Sequence, residues 1–294
     1  MRPYQIISDS SCDIAPEYIK QINLGVVPFF VSFDGETYYK EIYELTPDEF
    51  YDRIKDNSVF PKTSQPTIQD YIDVFEPYLK EGKDILCLCL TSNFSGSYQS
   101  AVNAKNILAE TYLEARIEVL DSRNVTGIQG LLVWEVIRMR DKGYTLDQQQ
   151  EKIQILKETT KINFTVDSLE HLQKGGRIGK AAALAGTILN IKPIIVAQHG
   201  ELFPESKVRG HKKALRTIMD MTRQEIGDKK EQYRLLLLYA EKERKATTEE
   251  LADELKAEGF ELIDAPLAQV GITIGTHAGP TAIGVCYIKK HELI

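Results

Sequence analysis

Four hydroxyl-rich segments in the first half of the chain have the residue types to bind an anionic oxygen group. They occupy residues 8–13, 62–66, 91–97 and 121–123, where strand-like stretches end. In an open α/β sheet, ligands bind outside the carboxyl ends of the strands, and hydroxyls with free backbone N–H groups suit a carboxylate or a phosphate. Helix capping explains any one segment by itself. Four such segments at one sheet edge favour a binding site.

Ser95 and His277 raise a catalytic alternative, a serine-type acyl hydrolase. The nucleophile elbow of such enzymes needs small residues on both sides of the serine, whereas Asn93 and Phe94 precede Ser95. His277 is the histidine that lies in a glycine-rich segment, at residues 275–280. The hydrolase therefore stays open as a second hypothesis beside a non-catalytic binding protein. A ligand-sensing or transport-linked binding protein is a third.

Residues 175–180 have the glycine content of a phosphate-binding loop but not its spacing. Lys174 stands where the loop needs glycine, and Ala181 stands where it needs a hydroxyl to hold Mg²⁺. No metal-ligand spacing is present in the sequence, so we expect no metal and no cofactor. Arg177 follows two glycines in a bare turn, and arginine is enriched at protein interfaces.

Composition narrows the set of partners. The 294-residue chain carries a net charge of -7, which argues against nucleic acid and anionic membrane surfaces as partners. No apolar run approaches about 18 residues, so we expect no transmembrane segment. The chain starts without a signal-peptide pattern, and its four cysteines do not suggest a disulfide framework. We therefore expect a cytoplasmic protein.

The first half of the chain alternates strand and helix patterns. Capping signals at Thr46 and Thr67 predict two helix starts. Strands are predicted at residues 5–7, 26–33, 84–90 and 117–120. Helices are predicted at residues 15–21, 95–108, 127–140 and 145–159. This alternation predicts a Rossmann-like parallel sheet covered on both faces.

The second half follows a different pattern, which predicts an α+β domain with a mixed sheet. Strands are predicted at residues 161–166, 193–197, 235–239, 262–265 and 282–288, with a hairpin turn at residues 199–200. Helices are predicted at residues 181–189, 211–225 and 248–258. We therefore predict an α/β protein of two domains, residues 1–160 and 161–294.

Five short motifs, in order along the chain, resemble those of the DegV family, the fatty-acid-binding subunits of bacterial fatty acid kinase. They occupy residues 8–10, 62–66, 95–101, 175–178 and 275–280. The resemblance implies that one long-chain fatty acid lies in a tunnel between the two domains. It also implies that Thr63 and Ser95 bind the carboxyl group, with His277 nearby.

The resemblance extends to supporting residues and to partners. Ser64, Phe94 and Gly96 are expected around the carboxyl-binding residues, although the family commonly has leucine where this chain has Phe94. Arg177 and Arg209 are expected to dock a separate A-type, ATP-binding kinase subunit. That subunit would phosphorylate the bound acid, and the carrier would pass the acyl phosphate to acyl-transfer enzymes of phospholipid synthesis.

Overall fold

The computed structural model describes residues 2–55, 59–184 and 190–294. The strands are β1 (Tyr4–Asp9), β2 (Gly25–Val27), β3 (Phe30–Ser32), β4 (Tyr39–Lys40), β5 (Lys62–Ser64), β6 (Asp84–Cys89), β7 (Ile117–Asp121), β8 (Lys161–Thr165), β9 (Ile191–Gln198), β10 (Glu201–Arg209), β11 (Tyr233–Tyr239), β12 (Leu262–Gln269) and β13 (Ile283–Lys289). The α-helices are α1 (Pro16–Gln21), α2 (Pro47–Ile54), α3 (Ile68–Lys80), α4 (Ser97–Thr111), α5 (Thr126–Asp141), α6 (Leu146–Leu156), α7 (Glu170–Lys174), α8 (His211–Ile226), α9 (Lys245–Ala257) and α10 (Ile272–Ala278). None of the helices described is long and apolar enough to cross a bilayer.

The first half builds a four-stranded parallel sheet in the order β2-β1-β6-β7. Its central strand β6 is apolar on both faces because helices cover both sides. Leu86 and Leu88 belong to the core that includes α5, whereas Ile85 and Cys87 pack with α3 and α4. The predicted parallel sheet is confirmed.

The second half builds a six-stranded mixed sheet in the order β10-β9-β8-β13-β11-β12. β9 and β10 form the predicted hairpin, and His199 and Gly200 both have positive φ, as a two-residue turn of type I′ requires. Helix α5 packs against β11 and β13 of this sheet, and one core cluster includes residues of both sheets. The α/β fold class is confirmed, and the domain boundary near residue 160 stays a prediction.

The prediction of one strand over residues 26–33 is wrong. β2 joins the parallel sheet, whereas β3 joins a separate three-stranded sheet in the order β4-β3-β5. Pro28 lies between them, and its missing N–H and fixed φ interrupt a ladder at that point. Thr63 therefore lies in β5 of the small sheet and not at the carboxyl end of a strand in the parallel sheet.

The helix predicted over residues 181–189 is only partly covered by the structure. Residues 179–184 form a 3-10 helix, and residues 185–189 lie outside the described residues. The helix predicted from residue 95 begins at Ser97 instead, so Ser95 precedes its first turn.

Candidate functional site

A cavity of about 320 Å³ is lined by residues of both halves of the chain. This volume is at the lower end of the range of small-molecule sites, roughly 300–1,000 Å³. Most of its wall is apolar and comes from Phe29, Leu90, Val125, Ile162, Phe164, Leu172, Ala197, Leu202, Leu238, Val270, Ile274, Ala278, Ala282 and Ile283. Such a wall suits a long apolar ligand.

Thr63 and His277 meet at the polar part of this cavity. The small sheet places Thr63, helix α10 places His277, and 3.0 Å separates Thr63 Oγ1 from His277 Nε2. Burial, together with the nearby positive charges of Arg177 and His171, lowers the pKa of His277 to about 4, and burial is the largest cause. The ring is therefore neutral near pH 7. In its Nε2–H tautomer it donates to Thr63, which leaves the threonine proton free for a ligand.

Ser95 supplies a second hydroxyl. Its Oγ accepts a hydrogen bond from the backbone N–H of Ser97 at 3.1 Å, at the start of α4. This local bond orients the hydroxyl and leaves its proton available as a donor. Ser64 and Phe94 line the same cavity. The structure thus brings together Thr63, Ser95 and His277, which are far apart in sequence.

Gly96 is a point of close approach rather than part of the cavity wall. A Cβ at this position would stand 2.6 Å from Oε1 of Gln65, whose side chain lines the cavity. Gln65 is a lining residue that the sequence analysis did not single out, as are Thr126 and Thr273. The spacing of Thr273 and His277, four residues apart, is a signal that would have placed both on one face of a helix.

Arg177 is exposed and lies at the edge of the cavity. Its Nε donates to the carbonyl of Phe94 at 3.2 Å, and its Nη1 donates to the carbonyl of Gly175 at 2.7 Å. Arg177 therefore adjoins the hydroxyl-rich segment 91–97, to which Phe94 belongs. Within the described part of the chain, Arg177 forms no salt bridge. Arg209 is exposed at the end of β10, away from the cavity wall.

Glycine at position 175 allows the turn before Arg177 to approach His277. A Cβ there would stand 2.1 Å from His277 Nδ1, a distance that no side chain tolerates. His277 Nδ1 is buried and has no hydrogen-bond partner among the described residues. The turn and the histidine are thus packed directly against each other.

Segments 8–13 and 121–123 do not line the cavity, so the expectation of four segments around one ligand is wrong. Asp9 instead accepts hydrogen bonds from Ser11, Ser97, Gln129 and the backbone N–H of Leu90, all buried. Burial raises the pKa of this carboxyl group. The network fixes the start of α4, directly after Ser95, and is therefore a scaffold for the site.

Comparison with known proteins identifies the family. The family model described as the uncharacterised DegV family matches residues 3–290. The chain belongs to the DegV family. A DegV domain-containing protein of Clostridium acetobutylicum is 34% identical, and the alignment covers 99% of this chain and 100% of the relative.

Solved structures of DegV relatives have the same fold. A stearic-acid-binding protein from Eubacterium ventriosum is 35% identical, with a TM-score of 0.94 over 99% of this chain and 100% of that chain. DegV of Bacillus subtilis, described as a fatty acid binding protein, is 28% identical, with a TM-score of 0.85 over 99% of this chain and 100% of that chain. Fatty acid binding is thus a property of DegV proteins.

The geometry does not favour the hydrolase hypothesis. A serine hydrolase needs its histidine hydrogen-bonded to the serine and oriented by a third group. Nε2 of His277 is within hydrogen-bonding distance of Thr63 rather than Ser95, and no carboxylate among the described residues contacts its Nδ1.

A second cluster of ionisable groups lies outside the cavity. Glu135, His291 and Glu292 are close enough together to ligate a metal ion. However, Arg234 contacts both carboxylates, at 2.7 Å and 3.2 Å, and Lys142 contacts Glu292 at 2.7 Å. Because cations of the chain already neutralise these carboxylates, we interpret the cluster as a structural ion-pair network.

Proposed function

We propose that this chain binds one long-chain fatty acid, with the acyl chain in the cavity between residues 1–160 and 161–294. Thr63 and Ser95 bind the carboxyl group, and His277 orients Thr63. The observation that carries this proposal is the combination of an apolar cavity with two oriented hydroxyl groups at its polar part. The solved DegV relatives that bind fatty acids support it.

Burial of the acyl chain supplies most of the affinity. About 14 methylenes at ~0.8 kcal/mol each contribute ~11 kcal/mol before the costs of binding. The head group contributes orientation rather than bulk affinity. Hydroxyl donors can bind a carboxyl group whether or not it is ionised, so the site does not require a charged partner.

We further propose that the chain is a carrier without catalytic activity of its own, in the cytoplasm. It presents the carboxyl group to a separate ATP-binding kinase subunit and then carries the acyl phosphate to acyl-transfer enzymes of phospholipid synthesis. Arg177 and Arg209 dock these partners through exposed guanidinium groups, which suit carboxylates on another protein. The hydrogen bond from Arg177 Nε to the carbonyl of Phe94, the residue before Ser95, supports a docking surface next to the group to be phosphorylated.

Mass spectrometry of lipid extracted from the purified protein tests the binding proposal. We expect about one intact long-chain fatty acid per chain. Acyl esters are then added to wild type and to S95A, and free acid is measured. Turnover that depends on Ser95 would support the hydrolase instead. An empty protein that also fails to take up added stearic acid would contradict fatty acid binding.

Mixing the loaded protein with an ATP-binding kinase subunit and ATP tests the carrier proposal. We expect acyl phosphate only when both proteins are present. Its formation by this chain and ATP alone would contradict a non-catalytic carrier.

A further inference from the structure

The helix that carries His277 lacks a cap of its own. Helix α10 begins at Ile272, and the residue before it is Gly271, which offers no side chain to accept from the free N–H groups of the first turn. Glu41 supplies the missing acceptor from a distant part of the chain. Its carboxylate accepts from the backbone N–H of Thr273 at 3.0 Å and from the Thr273 hydroxyl at 2.7 Å.

We propose that Glu41 is a positioning residue for His277, acting as the cap of helix α10 in place of a local side chain. This inference rests on the proposed function, because it assigns Glu41 to the site that binds the fatty acid head group. Glu41 touches neither the cavity nor His277, so its effect passes through the helix.

The carboxylate of Glu41 is itself fixed in place. It is only 3% exposed and accepts a third hydrogen bond, from Ser10 Oγ at 2.5 Å. Ser10 Oγ in turn accepts from the backbone N–H of Phe29 at 2.9 Å. One buried carboxylate thus connects three places: the residue after β1, the segment that leads into β3 and the start of α10. Burial raises the pKa of Glu41, because it disfavours the charged form of the carboxyl group. The hydrogen bonds from Ser10 and Thr273 act in the opposite direction and partly offset this cost of desolvation.

Asp13 stands beside Glu41 and supports the same wall of the cavity. Its Oδ2 accepts from the hydroxyl of Thr126 at 2.5 Å, and Thr126, like Thr273, lines the cavity. Both carboxyl groups converge on Gly271, where a Cβ would stand 2.5 Å from Glu41 Oε1 and 2.7 Å from Asp13 Oδ1. Glycine is therefore required at this position, and it excludes a local side-chain cap. The need for a distant cap follows from this packing.

The connection from Glu41 to His277 is short. Thr273 and His277 are four residues apart, so they lie one above the other on the same helix face. A shift of the first turn of α10 therefore moves the imidazole that contacts Thr63. A displacement of about 1 Å is enough to spoil an oriented binding group.

The test compares E41Q with T145A. Thr145 caps helix α6, which does not contribute to the cavity wall, so T145A removes a helix cap without touching the site. Four quantities are measured in each protein: the melting temperature, the affinity for stearic acid, the ¹⁵N chemical shifts of the His277 ring and the pKa of that ring. The H277Q spectrum assigns the His277 signals.

We expect E41Q to fold, to bind stearic acid roughly tenfold more weakly and to show a His277 pKa closer to the ordinary value. T145A should have a lower melting temperature with unchanged affinity and unchanged His277 signals. If E41Q lowers only the melting temperature, and the ¹⁵N chemical shifts and pKa of His277 are unchanged, then Glu41 stabilises the fold without positioning His277 and the proposal is wrong. If E41Q does not fold, S10A removes one partner of Glu41 outside the cavity and is judged by the same two outcomes.

The affinity for stearic acid and the His277 spectrum separate this inference from the proposed function. Failure of the wild type to bind stearic acid would contradict the proposed function. The His277 spectrum needs no fatty acid and still decides whether Glu41 positions the ring.

Discussion

Two histidines of this protein have opposite surroundings. His291 is 0% exposed, its Nδ1 lies 2.6 Å from Glu135, and its Nε2 lies 3.3 Å from Lys142. Nε2 of His277 contacts only the neutral hydroxyl of Thr63, and its Nδ1 has no partner among the described residues. Both ring nitrogens of His291 therefore have partners in the protein, whereas only one ring nitrogen of His277 has a partner among the described residues.

The difference separates groups that stabilise the fold from groups that are available to a ligand. The Glu135–Arg234–His291 network is buried and fully paired, so removal of one member leaves an uncompensated charge. Among the described residues, the Ser95 hydroxyl proton has no acceptor, and the Thr63 proton has none when the Nε2–H tautomer of His277 donates to Thr63. Loss of these hydroxyl groups should therefore cost the fold little. We expect substitutions in the Glu135–Arg234–His291 network to lower the free energy of unfolding, and substitutions of Thr63 and Ser95 to lower the affinity for the fatty acid.

The largest expected effect is that of R234A on stability. Arg234 is buried among Glu135, Glu261 and Glu292, and its removal leaves Glu135 buried without its main cation. Breaking a buried pair in this way costs about 3–5 kcal/mol. Urea unfolding measures the loss, and stearic acid affinity of the folded fraction should stay unchanged. R223A is the control, because Arg223 joins an exposed network whose pairs are each worth under ~1 kcal/mol.

The next effect is the pH dependence that His277 confers on stability. Its pKa is lowered from 6.5 to about 4, mainly by burial, so the unfolded chain binds the proton more tightly. Stability due to the neutral ring is therefore fully present above pH 6.5 and is lost as the pH falls towards 4, by at most about 3 kcal/mol. Unfolding free energies of wild type and H277Q should converge over this window. Parallel curves would show that the ring is not desolvated.

Local sequence signals predicted the helix caps of this protein but not the long-range contacts that form the candidate site. The capping boxes at Thr46 and Thr67 are confirmed, because a cap depends on residues three positions apart. Thr63 and His277 were expected near each other only through the family resemblance, since they are 214 residues apart. The contact between Glu41 and Thr273 spans 232 residues and has no local signature. Such contacts depend on how strands pair and helices pack, and local sequence patterns do not specify either.

The double variant T63A/S95A should affect affinity more than stability. Each lost hydrogen bond is worth about 0.5–1.5 kcal/mol, and more where the acceptor is a carboxylate, so affinity should fall about tenfold or more. Titration with a fluorescent fatty acid measures this change. S92A is the matched control, because Ser92 lies in the same segment but bonds to Asp121. Unchanged affinity in the double variant would remove Thr63 and Ser95 from the carboxyl site.

The smallest expected effect on affinity is that of R177A. Arg177 lines the cavity but is exposed, so its attraction to a bound carboxylate is screened and contributes only about 0.2–1 kcal/mol. Fatty acid affinity should therefore fall by no more than about fivefold, and the melting temperature should barely change. Association with the kinase subunit should weaken by ~2 kcal/mol or more if Arg177 is a docking hot spot. R209A is the matched control for affinity, because Arg209 is also exposed and does not line the cavity. An emptied cavity in R177A would place this arginine with His277 and Thr63 as a carboxyl-binding group, and a large drop in melting temperature would place it with Arg234.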